Sequence, residues 1–285
     1  MEVGSVGIVG AGQMGSGIAQ VAAQANLDVV LYDVAAPMLE RAVAAMEKGL
    51  SRLREKGKLG DREVADVIAK IKPSGGFEDL AATDVIIEAA PEDFEIKKEI
   101  FQRLDRLCAP QTVFASNTSS ISLTQLGATT GRADKVIGMH FMNPPAVLSL
   151  VEIVRGLATS DDTYRTIRAL AERMGKVTIL AKDYAGFIVN RILLPMINEA
   201  IYAVYEGVGT VEDIDNGMKL GTAQPMGPLA LADLIGLDTC LAILERLHES
   251  LGEDKYRPCP LLRNYVAAGY LGRKAEKGFY TYGAK

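Results

Sequence analysis

Near its start the chain reads Val6-Gly7-Ile8-Val9-Gly10-Ala11-Gly12-Gln13-Met14-Gly15: a short β-prone apolar run breaks into three spaced glycines, and helical sequence follows at once. In a strand–turn–helix of this kind each glycine has a separate task. Gly10 permits a tight turn, Gly12 lets the backbone approach a pyrophosphate, and Gly15 lets the helix pack closely on the strand. The helix N-terminus beyond the turn offers unbonded N–H groups and a partial positive charge to phosphate oxygens, with Gln13 and Met14 in the loop that leads into it. A second β-rich run, residues 29–32, ends at Asp33, about 20 residues on, where a carboxylate accepts from both hydroxyls of an adenosine ribose. That charge repels a 2′-phosphate, and no Arg or Lys follows directly, so the pattern favours NAD over NADP.

Outward from this unit the alternation continues. Residues 85–88, 112–115, 136–139 and 150–154 read as strands, with 177–181 as a further candidate. Several are apolar throughout, as suits strands covered on both faces of a parallel sheet. Helical spacing fills 16–24, 38–56, 62–70, 92–107 and 163–174. The expected fold is therefore α/β, a Rossmann-type doubly wound sheet. The character changes near residues 183–186. Beyond it 187–206, 211–220, 230–251 and 261–268 look helical, and only 278–282 suggests a strand. The expected organisation is a dinucleotide-binding domain over 1–184 and an all-α C-terminal domain over 185–285 for substrate binding and dimerisation.

Composition narrows the classes. A chain of 285 residues suits about two domains, and 48% hydrophobic with 24% charged residues is ordinary globular usage. A net charge of −5 argues against nucleic acid or an anionic membrane as a partner. The uncharged stretch 107–131 is too rich in Ser, Thr, Asn and Gln to span a bilayer. With strand-like sequence beginning at Val6, no leader peptide is expected. Three distant cysteines without a paired spacing suggest reduced thiols and a cytoplasmic location, and two histidines argue against a His-rich metal site.

His140 ends the strand-like run 136–139, at the carboxyl edge where open α/β sheets place ligands. Glu152 sits inside the apolar run 150–154, where a lone charge is costly unless paired. If the two runs are neighbours, Glu152 accepts from one ring nitrogen and leaves the other as a base; otherwise Glu152 is an edge-strand residue facing water. Residues 116–120, Ser-Asn-Thr-Ser-Ser, follow another buried run at the same edge. They offer hydroxyl and amide partners to a substrate, or a helix cap from Ser120 or Ser122. Asn190 lies early in the helix that opens the second domain.

Gly-Ala-Gly-Gln-Met-Gly at 10–15, Ser-Asn-Thr-Ser at 116–119, His-Phe-Met-Asn-Pro-Pro at 140–145 and Asp-Tyr-Ala-Gly-Phe-Ile-Val-Asn-Arg at 183–191 together resemble the L-3-hydroxyacyl-CoA dehydrogenase family, most closely its stand-alone bacterial short-chain members. The resemblance covers nearly the whole chain. It implies NAD-linked interconversion of L-3-hydroxybutyryl-CoA and acetoacetyl-CoA. It further implies that His140 is the general base and that Glu152 orients its ring. Ser119 and Asn190 would bind substrate near the reacting carbon. Asp33 would hold the ribose, while Glu92, Lys97, Asn117, Asn143 and Lys277 line the cofactor site.

The helix over 38–56 stacks Lys48, Arg52 and Lys56, with Arg54 and Lys58 beside them, a basic edge suited to the phosphates of coenzyme A. The resemblance places CoA contacts in this helix, where Lys56 matches, and Arg52 of the same basic stripe stands beside it as a candidate. A solvated face paired with Glu47 and Glu55 is the other reading. Leu193, Leu194, Ile197, Ile201 and Val204 give the first C-terminal helix a broad apolar surface, which predicts a homodimer. Two alternatives stay open: a dehydrogenase of a free hydroxy acid or sugar acid, and a non-catalytic NAD sensor.

Overall fold

The computed structural model describes residues 2–57, 59–60 and 62–283. The chain divides into two compact units between Tyr184 and Ala185. Among the described residues, no helix is long and apolar enough to cross a membrane.

The first unit runs β1 (Ser5–Val9), α1 (Gln13–Gln24), β2 (Asp28–Tyr32), α2 (Ala36–Glu55), α3 (Val64–Ile68), β3 (Ile71–Ser74), β4 (Val85–Glu88), α4 (Phe94–Leu107), β5 (Val113–Ser116), α5 (Leu123–Ala128), β6 (Val136–Phe141), β7 (Leu150–Arg155), α6 (Asp161–Arg173) and β8 (Val177–Lys182). The eight strands form one sheet in the order β3-β2-β1-β4-β5-β6-β7-β8. Neighbours are parallel except β6 and β7, which pair antiparallel. The order reverses between β1 and β4, so the glycine turn after β1 stands at the switch point where such sheets take ligands. Apolar side chains on one face of the sheet pack with Ile18 and Ala22 of α1, Leu50 of α2, and Ile167 and Leu170 of α6. On the other face Phe101 of α4 meets Phe114 of β5 edge-on at 6.0 Å.

Three details depart from the sequence expectations. Strand β3, Ile-Lys-Pro-Ser, has no apolar run to announce it; Pro73 is tolerated because β3 is the sheet's edge, paired only with β2. The sheet is not wholly parallel, since β7 and β8 run against the others. And β6 extends through His140 to Phe141, so the imidazole lies within a strand.

The second unit holds α7 (Val189–Tyr205), α8 (Val211–Thr222), α9 (Pro228–Ile235), α10 (Leu237–Leu251) and α11 (Pro260–Ala267). The single helix expected over 230–251 is two, broken at Gly236, whose φ of +103° an L side chain rarely adopts. Residues 278–282 form no strand. They are tied down by two buried carboxylates: Asp233 accepts from Phe279 N, Tyr280 N and Tyr282 Oη, and Asp215 accepts from Tyr280 Oη while capping α9 through Leu229 N and Ala230 N. Leu194, Ile197 and Ile201, read from sequence as a surface for a second copy, lie inside this unit's own core at 1%, 0% and 0% exposure. Apolar spacing alone could not separate the two destinations.

Candidate active site

The glycine turn takes the shape its sequence demands. Gly10 has φ +102°, and a Cβ there would stand 2.7 Å from the Ala89 carbonyl oxygen. A Cβ on Gly15 would stand 1.8 Å from the Gly10 carbonyl oxygen, so only glycine lets α1 close on β1. A Cβ on Gly12 would meet nothing within 4 Å, and no side chain caps the α1 N-terminus there. The backbone at Gly12, with the first residues Gln13 and Met14, therefore faces open space with unspent N–H donors, which fits a pyrophosphate. Asp33 follows β2, where its Oδ2 accepts from Ala11 N at 2.8 Å and its Oδ1 from Ala35 N at 2.9 Å. It braces the glycine turn at the place a ribose would occupy.

Four strands away, the antiparallel register sets His140 directly opposite Glu152. Nδ1 of His140 lies 2.8 Å from Glu152 Oε2, and Glu152 is fully buried while His140 is 7% exposed. An ionised carboxylate can only accept, so in this pairing the ring donor is Nδ1–H and Nε2 is the other ring nitrogen. The edge-strand alternative for Glu152 is thereby excluded, because β7 lies between β6 and β8.

The segment between β5 and α5 is organised by Glu92. Its Oε1 accepts from Thr118 Oγ1 at 2.6 Å, Ser119 N at 2.9 Å, Ser120 N at 3.0 Å and Ser120 Oγ at 2.9 Å, with Ser119 Oγ at 3.3 Å. Burial opposes the Glu92 charge, yet Lys97 and these donors outweigh it and hold its carboxyl below the usual range. The helix cap is Ser122, which accepts from Gln125 N, so Ser119 and Ser120 are not used for capping. Asp183 adds to that cap by accepting from Ser122 Oγ, Leu123 N and Thr124 N. Asn117 Oδ1 accepts from Phe141 N at 2.9 Å, fastening this loop beside His140.

Lys97 is placed differently from a ligand-lining residue. Its side chain is 1% exposed, with Nζ 2.6 Å from Glu88 Oε1 and 3.4 Å from Glu92 Oε2, so Lys97 stands behind Glu92. Asn143 is exposed in the loop after β6. Lys176 Nζ donates to the Pro145 and Leu148 carbonyls of that loop. Asn190 lies in the first turn of α7, and Lys277 sits with Nζ 3.9 Å over the Tyr270 ring, both in the second unit.

On α2, Lys48 and Arg52 are exposed, as is Lys56 at its C-cap, and none has an ion-pair partner among the described residues. The partners expected at Glu47 and Glu55 are not used, and Arg54 pairs with Glu63 instead. Lys58 lies outside the described residues. Sequence reasoning missed Glu88, Asp183 and Lys176. Only Glu88 carried a sign, a carboxylate closing the apolar run 85–87.

Two family models match the chain: the NAD binding domain of 3-hydroxyacyl-CoA dehydrogenase over residues 5–184, and the C-terminal domain of 3-hydroxyacyl-CoA dehydrogenase over residues 186–282. A probable 3-hydroxybutyryl-CoA dehydrogenase of Bacillus subtilis is 55% identical over 285 residues, covering 100% of this chain and 99% of that one. A 3-hydroxybutyryl-CoA dehydrogenase of Bradyrhizobium diazoefficiens is 52% identical, covering 98% of this chain and 96% of its own. The crystal structure of (S)-3-hydroxybutyryl-CoA dehydrogenase PaaH1 from Ralstonia eutropha superposes with a TM-score of 0.95 at 50% identity, covering 99% of this chain and 100% of that one.

Proposed function

The chain belongs to the 3-hydroxyacyl-CoA dehydrogenase family, and from that premise we propose that it interconverts L-3-hydroxybutyryl-CoA and acetoacetyl-CoA, with His140 as the base. It is an NAD-dependent oxidoreductase. The observation that carries the proposal for the site is the 2.8 Å pairing of His140 Nδ1 with the buried Glu152 carboxylate.

The roles follow from the donors each residue has. Gly12, Gln13 and Met14 hold the pyrophosphate through backbone N–H groups; Gly10, whose own N–H donates to the Tyr32 carbonyl, and Gly15 shape the turn that presents them, and Asp33 holds the adenosine ribose. Glu92, Asn117, Asn143 and Lys277 line the rest of the cofactor site, with Lys97 behind Glu92. NAD, when bound, supplies the hydride acceptor for C3 of the hydroxyacyl group. His140 Nε2 takes the 3-hydroxyl proton, and Glu152 stabilises the imidazolium so formed. In the reductive direction the imidazolium returns that proton to the carbonyl oxygen. Ser119 and Asn190 hydrogen-bond the substrate next to the reacting carbon. Lys56 and Arg52, with no acidic partner on α2, meet the phosphates of coenzyme A.

Following NADH absorbance with acetoacetyl-CoA tests the substrate. Turnover is expected, and none with any 3-ketoacyl-CoA thioester would refute the proposal. Lys56→Glu is expected to raise KM for acetoacetyl-CoA by about threefold to tenfold and to leave a pantetheine thioester unaffected. Equal effects on both would point to a substrate without the nucleotide.

The chain assembles as a homodimer through the second unit, where Ile192, Tyr205, Val208 and Leu220 are 67%, 55%, 75% and 85% exposed. Sedimentation at micromolar concentration is expected to give twice the 30.5 kDa chain mass, and a monomer would contradict this. Its compartment is the cytoplasm, in keeping with the three buried thiols Cys108, Cys240 and Cys259, all free of disulfides.

A further inference from the structure

Glu88 closes β4 with its carboxylate fully buried, and α4 brings the equally buried Lys97 to it. A buried ion pair of this kind is a poor way to gain stability, since apolar side chains of similar volume serve as well or better. Its contacts suggest another use. Glu88 Oε1 accepts from Lys97 Nζ at 2.6 Å and from Ala90 N at 2.7 Å; Oε2 accepts from Ser116 Oγ at 2.6 Å. Two lines of contact leave this carboxylate. One runs through Lys97, which also donates to the Ala90 carbonyl and faces Glu92 Oε2, and then through Glu92 Oε1 to Ser119 and Ser120. The other runs through Ser116 Oγ, which accepts from Thr118 N, one residue before Ser119. Burial pushes the Glu88 carboxyl up, against the opposing pull of Lys97, Ser116 and the Ala90 amide.

We infer that Glu88 is a positioning residue for the reaction: through Lys97 and Glu92 on one side and Ser116 on the other, it fixes the loop that presents the Ser119 hydroxyl to the acyl-CoA. The inference rests on the proposed contact between Ser119 and substrate. It extends the site by one layer, to groups that never touch a ligand. The parallel register that pairs Glu88 with Ser116 makes the second line possible, because it puts both residues at the same height on adjacent strands, while α4 supplies the first by turning Lys97 toward Glu88.

The test is a set of coupled variants of the full chain, assayed with acetoacetyl-CoA and NADH, with NADH affinity measured separately. Ser119→Ala alone is expected to lower kcat by about tenfold. Ser116→Ala removes one line with little change of volume. It is expected to lower kcat by about threefold to tenfold with NADH affinity within about twofold, and to cost less than about twofold once Ser119 is already Ala. Glu88→Gln removes the charge and turns one of the two acceptor oxygens into a donor, which breaks at least one line and weakens the other; it is expected to cost at least as much and to couple to Ser119→Ala in the same way. Should Glu88→Gln fail to fold, Ser116→Ala makes the same comparison. Losses that multiply in full with that of Ser119→Ala, or Ser116→Ala with wild-type kcat, would overturn the inference while leaving Ser119 in place. An unchanged kcat for Ser119→Ala would remove the substrate contact itself, and the inference with it.

Discussion

Replacing His140 by Gln lowers kcat by about 10²- to 10⁴-fold while NADH binds nearly as in the wild type. Glutamine keeps a polar side chain of similar size and can still meet Glu152 with an amide donor, so the strand pair β6–β7 is not disturbed. It cannot take a proton from the 3-hydroxyl or return one to the carbonyl. The residues proposed to hold the dinucleotide, at Gly10–Gly15 and Asp33, lie at the ends of β1 and β2, three and four strands away in the sheet. Cofactor affinity should therefore separate from turnover. Steady-state kinetics with acetoacetyl-CoA and a fluorescence titration with NADH check both halves, and a kcat above about one tenth of the wild type would remove His140 as the base.

The second large effect is expected from Glu152→Gln, with a loss in kcat of up to about 10⁴-fold, the size of the loss when the carboxylate behind a catalytic imidazole is neutralised. The carboxylate can only accept, so it selects the tautomer with the proton on Nδ1. A glutamine can turn its NH₂ toward Nδ1, which then accepts and leaves the proton on Nε2, where the base should be. Turned the other way, its oxygen keeps the tautomer but no longer carries a charge to stabilise the imidazolium. Because Glu152 is fully buried, a neutral isostere removes a desolvation cost. The melting temperature is expected to hold or rise as activity falls. A parallel loss of stability and activity would mean that Glu152 supports the fold and not the proton transfer.

Much of this site is legible in the chain because its parts are local. The turn at Gly10–Gly15 is written in backbone freedom, and Asp33 follows from the length of one helix and one strand. Alternating β-rich and helical stretches give the sheet, except β3, whose Lys and Pro hide it from any apolar count, and except the one-residue break at Gly236. The apolar surface of α7 was misread because burial within a domain and burial between copies leave the same spacing. The Glu88–Lys97 pair was out of reach for a different reason. The partners stand nine positions apart in sequence, and only the packing of α4 against the sheet turns Lys97 inward to meet the strand end.

The amino-acid order by itself determined that a dinucleotide turn opens a doubly wound sheet and that an imidazole and a carboxylate lie in successive strand-like runs. Tertiary structure alone decided that they meet. Strand order and register set the contact between His140 and Glu152, and a slip of one residue in β7 would send the carboxylate to the opposite face of the sheet, because side chains alternate along a strand.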